Sequence, residues 1–580
     1  MLKHALEESD INLNAEDSSA KYALNLAIEN GYTECVKVLL ANKNIDVNFR
    51  IRNGETLLYH AILYARPDCV KLLVQHRDIN VNLQTFDKGW TPLHLAASMN
   101  DITSLQYLLH DPDIDVNIRA FSGYTPIMFA AEKGSPEAMK LLLAKEEIDI
   151  TAQANDTAMN GYHALHAAAK SGCAECVKLL LDRDEIDVNT QIEGTTDEGL
   201  TPLHFAARIG CLECIRLLLT QEGIQVNLQD SQGYTALHYA AEKGYTDCVQ
   251  LLVSRKDCTI NVQNGNGDTP LHLAALNGHF QCIQLLLVLK NINVNVLNND
   301  KLTPLHNAAK MGYGTCVQSL VKHDDIQVNL LAPDNSTALI VAAKNGHSDC
   351  VEALLAHPKI DVTVKDGNSW TALHYAANTG KTLAVEQLLK QQDIKVNEQI
   401  KALGPENGYT PLNLAARNDH TKCVNLLLER NDIDVNIAGK DGMTPLHWMS
   451  KLGRIPAMKR LIQHNDININ AQDETGATPL HYAVCSANPA CVKLLLGQQG
   501  INPNLRIQSS MYAGYTPLHI AVFEGYLECV KALLKCPQID FTIQTKDQLT
   551  LLDIAKQSSS TKKDEIIVLL SKAMNKDEEL

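Results

Sequence analysis

Apolar residues along this chain come in short clusters of helical period, and the clusters recur. In Thr201-Pro-Leu-His-Phe-Ala-Ala-Arg-Ile-Gly210 the residues Leu203, Ala206 and Ala207 share one face of a helix of roughly 3.6 residues per turn. In Cys211-Leu-Glu-Cys-Ile-Arg-Leu-Leu-Leu219 the shared face is Cys214, Ile215, Leu218 and Leu219. The first stretch predicts a helix from Pro202 to Gly210. Thr201 is its N-cap, Pro202 sits in the first turn where its missing N–H costs nothing, and Gly210 is the stop. The second predicts a helix over 213–219. Helices this short cannot bury an apolar face by themselves, so each pair needs neighbours.

The neighbours are written into the sequence. The position of Thr201 recurs sixteen times, as Tyr22, Thr56, Thr91, Thr125, His163, Thr201, Thr235, Thr269, Thr303, Thr337, Thr371, Thr410, Thr444, Thr478, Thr516 and Thr550, most often 34 residues apart. We call this residue the marker. Marker plus two is Leu in fifteen copies and Ile127 in the other, and marker plus five is Ala everywhere except Met449. The distance from marker to a closing Asn or Thr is 26 in all fifteen intervals, as from Thr91 to Asn117. All length variation falls after that residue, with longer connections of 12, 12, 13 and 12 residues ending at His163, Thr201, Thr410 and Thr516. An extra residue inside a packed helix would turn its apolar face outward, whereas a solvated connection accepts insertion.

Two short helices followed by an Asn-rich segment with Gly ahead of the next marker closely resemble the ankyrin repeat. One departure is consistent: after the second helix this chain has one extra residue in an acidic or polar turn, as in Asp182-Arg-Asp-Glu-Ile186. The resemblance implies an all-α solenoid of helix-turn-helix units with protruding β-hairpin loops. Its expected parts are a partial capping repeat at 1–14, a continuous array over 15–548, and a capping repeat with a short polar tail at 549–580. In that last part an outer helix over 563–574 and Lys572, Lys576 and Glu578 supply a polar end face.

Charge narrows the function. With 51 basic and 67 acidic side chains the net charge is −16, which opposes the general attraction to phosphate on which nucleic-acid binding rests. The longest apolar runs, such as Leu285 to Leu289, fall far short of the roughly 20 residues of a membrane span. The segment from Met1 to Asp10 lacks the apolar core of a secretory signal. Neither nucleic acid nor membrane insertion is expected, and a cytoplasmic, reducing location is.

Three patterns tempt a chemical reading. Cys173-x-x-Cys176 and Cys211-x-x-Cys214 mimic a zinc-ribbon spacing. Yet eleven of the 16 cysteines, including Cys176 and Cys214, stand at marker plus thirteen, where each reads as the small buried residue of its own unit. Ten of 21 histidines stand at marker plus three, including His94, His166, His204, His238, His272 and His519. A catalytic base is needed once, so ten copies at one phase point to structure. By resemblance, this His and the marker Thr tie the helix start to neighbouring backbone. Phosphate-binding, zinc-protease, serine-hydrolase and calcium-loop motifs do not occur. No enzymatic activity, cofactor, metal or small-molecule substrate is expected.

What remains is surface. The residue before the marker is aromatic in seven copies: Trp90, Tyr124, Tyr162, Tyr234, Trp370, Tyr409 and Tyr515. In ankyrin arrays this position lies on the hairpin facing the concave groove, and Trp and Tyr are frequent interface anchors. The enlarged hairpins Ala154 to Asn160, Thr190 to Glu198, Glu398 to Asn407 and Arg506 to Ala513 are further candidates. The expected function is a monomeric, non-enzymatic scaffold that binds partner proteins through groove and hairpin fingers. Its rivals are a substrate-recruiting adaptor for a modifying enzyme and a host-directed effector of an intracellular microbe. The hairpin Asn residues, thirteen with Asn14, are explained by side-chain bonds to hairpin backbone. The resemblance adds asparaginyl hydroxylation as a modification they can receive in animal cells.

Overall fold

A computed structural model describes residues 22–155, 160–194 and 197–577. The expected partial repeat at 1–14, the first residues of the array, Glu578 and the middles of the first two enlarged hairpins lie outside the described residues, as does the side chain of Lys576. The chain forms two compact units, Met1–Asn299 and Asp300–Leu580. Within each, an inner helix starting just after the marker packs on its own outer helix and on the inner helices of the repeats beside it.

The reason lies in each repeat's first turn. In repeat 201 the inner helix runs Pro202–Ile209 and the outer helix Leu212–Leu219. Thr201 Oγ1 accepts the His204 N–H at 3.3 Å, which caps the inner helix. Gly210 ends it at φ 75°, and a side chain there would collide with the Tyr245 ring of the next repeat. Leu203, Phe205, Ala206, Ala207, Cys214, Ile215 and Leu218 are all buried. The Ala pair brings inner helices close enough that little else fits between them.

The array holds together because side chains complete the backbone of the next repeat. His204 Nδ1 accepts the Thr201 N–H at 3.0 Å, so the ring's proton is on Nε2, which donates to the carbonyls of Leu228 and Tyr234 at 3.0 and 3.1 Å. His94, His238 and His374 bond in the same way, to Tyr124, Asp268 and Glu398 carbonyls. Asn413 replaces His in repeat 410 and reproduces both halves: Oδ1 accepts the Thr410 N–H at 2.9 Å, and Nδ2 donates to the Ile437 carbonyl at 3.0 Å. Asp553, an acceptor only, makes just the first half, at 3.0 Å from the Thr550 N–H.

A second clamp sits at the closing Asn. Asn117 Nδ2 donates to the Glu147 carbonyl at 2.6 Å and its Oδ1 accepts the Asp149 N–H at 2.7 Å. Asn82, Asn227, Asn261, Asn436 and Asn470 repeat this bridge. The bonds therefore reach the following repeat's loop and not, as expected from sequence, the residue's own hairpin. The hairpins themselves are tight turns, and among the described residues the β-pairing is limited to the isolated bridges Arg50–Thr56 and Asn160–Glu193. The final outer helix is Lys563–Asp577, three residues longer than expected, and it buries Ile566 and Leu570 while exposing Lys572. No helix among the described residues is long and apolar enough to cross a membrane.

Burial holds the clamp histidines neutral: His94, His238, His374, His481 and His519 are each pushed down to about 4. An unfolded His titrates near 6.5, so between about pH 6.5 and 4 the unfolded chain binds more protons than the native one. Stability is full above that window and falls as pH drops through it. Acid titration followed by circular dichroism should show helix loss in this range, before most carboxylates protonate. In repeat 201, His204→Ala strands the Thr201 N–H and the Leu228 carbonyl, and should cost about 1–3 kcal/mol locally. His204→Asn should cost clearly less, because Asn413 already does this work. Native-state hydrogen exchange over 201–234 measures both.

Candidate partner-binding surface

The seven aromatic residues ahead of the markers divide into two groups. Trp90, Tyr124, Tyr234, Trp370 and Tyr515 are half-buried at the feet of their hairpins. Tyr162 and Tyr409 are buried, at 0% and 1% exposure, and so are not presented at the surface as the sequence reading expected. Both follow enlarged hairpins, and Ile400 and Ala402 of the second pack against the Tyr409 ring. The Tyr409 ring lies over Gly439 of the next hairpin, where any side chain would meet it, and its hydroxyl donates to Asp441 at 2.7 Å. The Tyr162 hydroxyl is buried without a hydrogen-bond partner among the described residues.

Each of these rings leans on others. Trp90 and Tyr124 pack on Phe129 with centroids 4.7 and 5.3 Å apart, Tyr234 on Tyr239 at 5.1 Å and Trp370 on Tyr375 at 4.8 Å. Phe129, Tyr239 and Tyr375 all stand at marker plus four, as do Phe205, Trp448 and Tyr482. That fixed phase was legible in sequence as a second aromatic column, and it was not read as one. Tyr239, Tyr375 and Tyr482 donate their hydroxyls to Asp230, Asp366 and Asp473, the carboxylates that organise the preceding hairpin turns. Aromatic column and hairpin are thereby held in one piece.

In the first unit this framework carries exposed apolar side chains. Phe86 and Phe121, on successive hairpins, are 66% and 62% exposed, beside a groove of about 560 Å³ lined by Lys88, Trp90, Phe121, Tyr124, Phe129 and Glu132. Lys88 Nζ lies 5.2 Å above the Trp90 ring. Two large aromatics standing this open on adjacent loops form a patch of the kind that marks an interaction site. In the second unit the enlarged hairpins present Leu403 and Met511, at 106% and 81% exposure. Each of those hairpins is anchored below its tip, through Glu406 to Arg417 at 3.2 Å and through Tyr512 to Glu524 at 2.6 Å. A wider groove of about 970 Å³ lies elsewhere in that unit, between the outer helices Gly314–Leu320 and Ser348–Leu355. It is lined by mixed charges and carries no aromatic cluster comparable to that at Trp90.

The polar groups that invited chemistry are engaged in structure. His94, His204, His238 and His374 spend both ring nitrogens on backbone, while the His519 Nε2 is buried without a hydrogen-bond partner among the described residues, and His204 shares no bond with Cys214. The marker-plus-thirteen thiols other than Cys35 are buried, and burial pushes Cys248, Cys316, Cys491 and Cys529 up to about 11. Cys173 and Cys211 are helix N-caps whose sulfurs accept the Cys176 and Cys214 N–H groups at 3.2 and 3.3 Å. Among the described residues no three His, Cys, Asp or Glu side chains are grouped so as to hold a metal ion.

Stacked helix pairs joined in this way define an ankyrin array. A family model for ankyrin repeats, described as three copies, matches overlapping windows from residues 1–85 to residues 474–547, and the chain belongs to that family. Among characterised proteins it is similar to Rabankyrin-5 of Mus musculus, 28% identical over 155 residues. The similar region is 26% of this chain and 13% of that protein.

The division of the aromatics has a direct test. Tyr162→Ala and Tyr409→Ala should each lower local stability by about 3–5 kcal/mol, the cost of emptying a packed site. Phe121→Ala should change it by less than about 0.5 kcal/mol, because an exposed side chain leaves no cavity. Hydrogen exchange of the flanking inner helices discriminates the two classes.

Proposed function

We propose that this ankyrin array is a non-enzymatic scaffold that binds partner proteins across the hairpin and inner-helix side of its repeats. The observation that carries the reading is the set of Phe86, Trp90, Phe121, Tyr124 and Phe129 on and below two successive hairpins, with Phe86 and Phe121 open to solvent and Trp90 and Tyr124 packed on Phe129. Rings already immobilised by packing lose little freedom on binding, which is what makes an aromatic cluster an anchor. Tyr234 in the first unit and Trp370 and Tyr515 in the second are further candidate anchors, as are Leu403 and Met511 at the loop tips of the second unit. The buried, unpaired thiol column supports residence in a reducing compartment.

The test is affinity capture from the native cell's lysate with the intact chain and with a variant carrying Phe86→Ala, Trp90→Ala and Phe121→Ala, both checked for helicity. Specific proteins held by the intact chain should be lost, or weakened by tenfold or more, in the variant. Identical captured sets from both would remove this patch from the binding surface.

A further inference from the structure

One pair of thiols departs from the inert column. Cys211 caps the outer helix Leu212–Leu219 and is partly exposed, while Cys214, one turn on, is fully buried. Their sulfurs are 2.8 Å apart. As a thiol Cys211 donates to the Gly172 carbonyl at 3.4 Å; as a thiolate it accepts the Cys214 N–H and the Cys214 thiol proton at the positive end of the helix.

We propose that Cys211 and Cys214 are a dithiol–disulfide couple that exchanges with small disulfides such as oxidised glutathione. Cys211 thiolate attacks one sulfur of the disulfide, forming a protein–S–S–R bond and releasing RS⁻. Cys214 sulfur then attacks Cys211 Sγ and breaks that bond, its proton passing to the second departing sulfur as RSH. The products are the internal disulfide and two reduced small thiols, so the electrons balance with no further oxidant. Burial of Cys214 restricts its access to external reagents and directs the second attack to Cys211.

The surroundings support the nucleophile. The Cys214 hydrogen bond is the largest of the effects that hold Cys211 down at about 6, against burial and the Glu213 charge, which push up. Cys214 is driven far above the ordinary thiol value, first by that same bond and then by burial. The other titratable groups near the pair are Cys173 and Cys176 on the preceding outer helix, and Cys248 and Tyr245 in the following repeat. None of these is a cation or carboxylate, so Glu213 is the charge that opposes the thiolate.

The intact chain would be equilibrated in mixtures of reduced and oxidised glutathione, quenched with acid, alkylated and cut with trypsin. The peptide Ile209–Arg216 contains both cysteines and no others. It should lose two hydrogens as the oxidised fraction rises, and alkylation of Cys211 should follow a pH profile inflecting near 6 in place of the usual value above about 8. Cys214→Ser should stop at the Cys211–glutathione mixed disulfide. Cys211→Ser, which keeps a favourable N-cap, should leave Cys214 unmodified. A wild-type peptide that remains a dithiol, or that carries glutathione without closing the internal bond, overturns the proposal. So does an alkylation profile inflecting above about 8. The wild-type peptide decides the matter even if a Ser variant fails to fold.

Discussion

Everything in this array depends on how very short helices satisfy their ends. A helix of seven or eight residues leaves more terminal N–H and C=O groups unpaired than it forms internal bonds, and burying it without partners for them would be prohibitive. This chain solves the problem across repeats. A neutral imidazole takes the N–H at one helix start and donates to the carbonyl of the next hairpin, and a closing Asn takes one amide and one carbonyl from the next loop. Because each clamp must reach a fixed point on its neighbour, the marker-to-Asn distance tolerates no change. The connection after it meets the histidine clamp only at its two ends, as at Leu228 and Tyr234, so its middle is free to vary in length.

The same economy separates structure from function. Histidine, asparagine and cysteine recur at fixed phases because every repeat needs them, and their polar atoms are spent on backbone or sealed in the core. Stability is then local, a sum over repeats and their junctions, and a single defect is felt mainly by the repeats beside it. Side chains that depart from the repeat are free of that duty. Phe86 and Phe121, Leu403 and Met511, and the Cys211 sulfur are such departures, and each is wholly or partly exposed.

Much of this was legible in sequence. Pro202 and Gly210 marked the inner helix to within a residue of its observed end, and ten histidines at one phase declared a structural role. The far ends of the bonds were not legible, because they join residues about thirty positions apart through loop geometry: Asn117 was read as serving its own hairpin when it serves Glu147 and Asp149. Nor was the burial of Tyr162 and Tyr409, which share their phase with half-exposed Trp90 and Tyr234. An enlarged loop is not enough, since Tyr515 follows one and stays half-exposed; Tyr162 is packed among the rings of Tyr124, His166 and Phe205, and Tyr409 among Ile400, Ala402 and Trp448 over the vacant side-chain position at Gly439. Phe86 and Phe121 were overlooked because they stand off the phase that drew attention to the other rings.

The most direct measurement of the account is hydrogen–deuterium exchange of the full chain with and without a captured partner. If the hairpin and inner-helix side is the binding surface, exchange should slow in the loops around 85–90 and 119–124 and at the start of the inner helix Pro126–Lys133, leaving the outer helices Ile102–Leu109 and Pro136–Leu143 unchanged. Protection confined to those outer helices would contradict it.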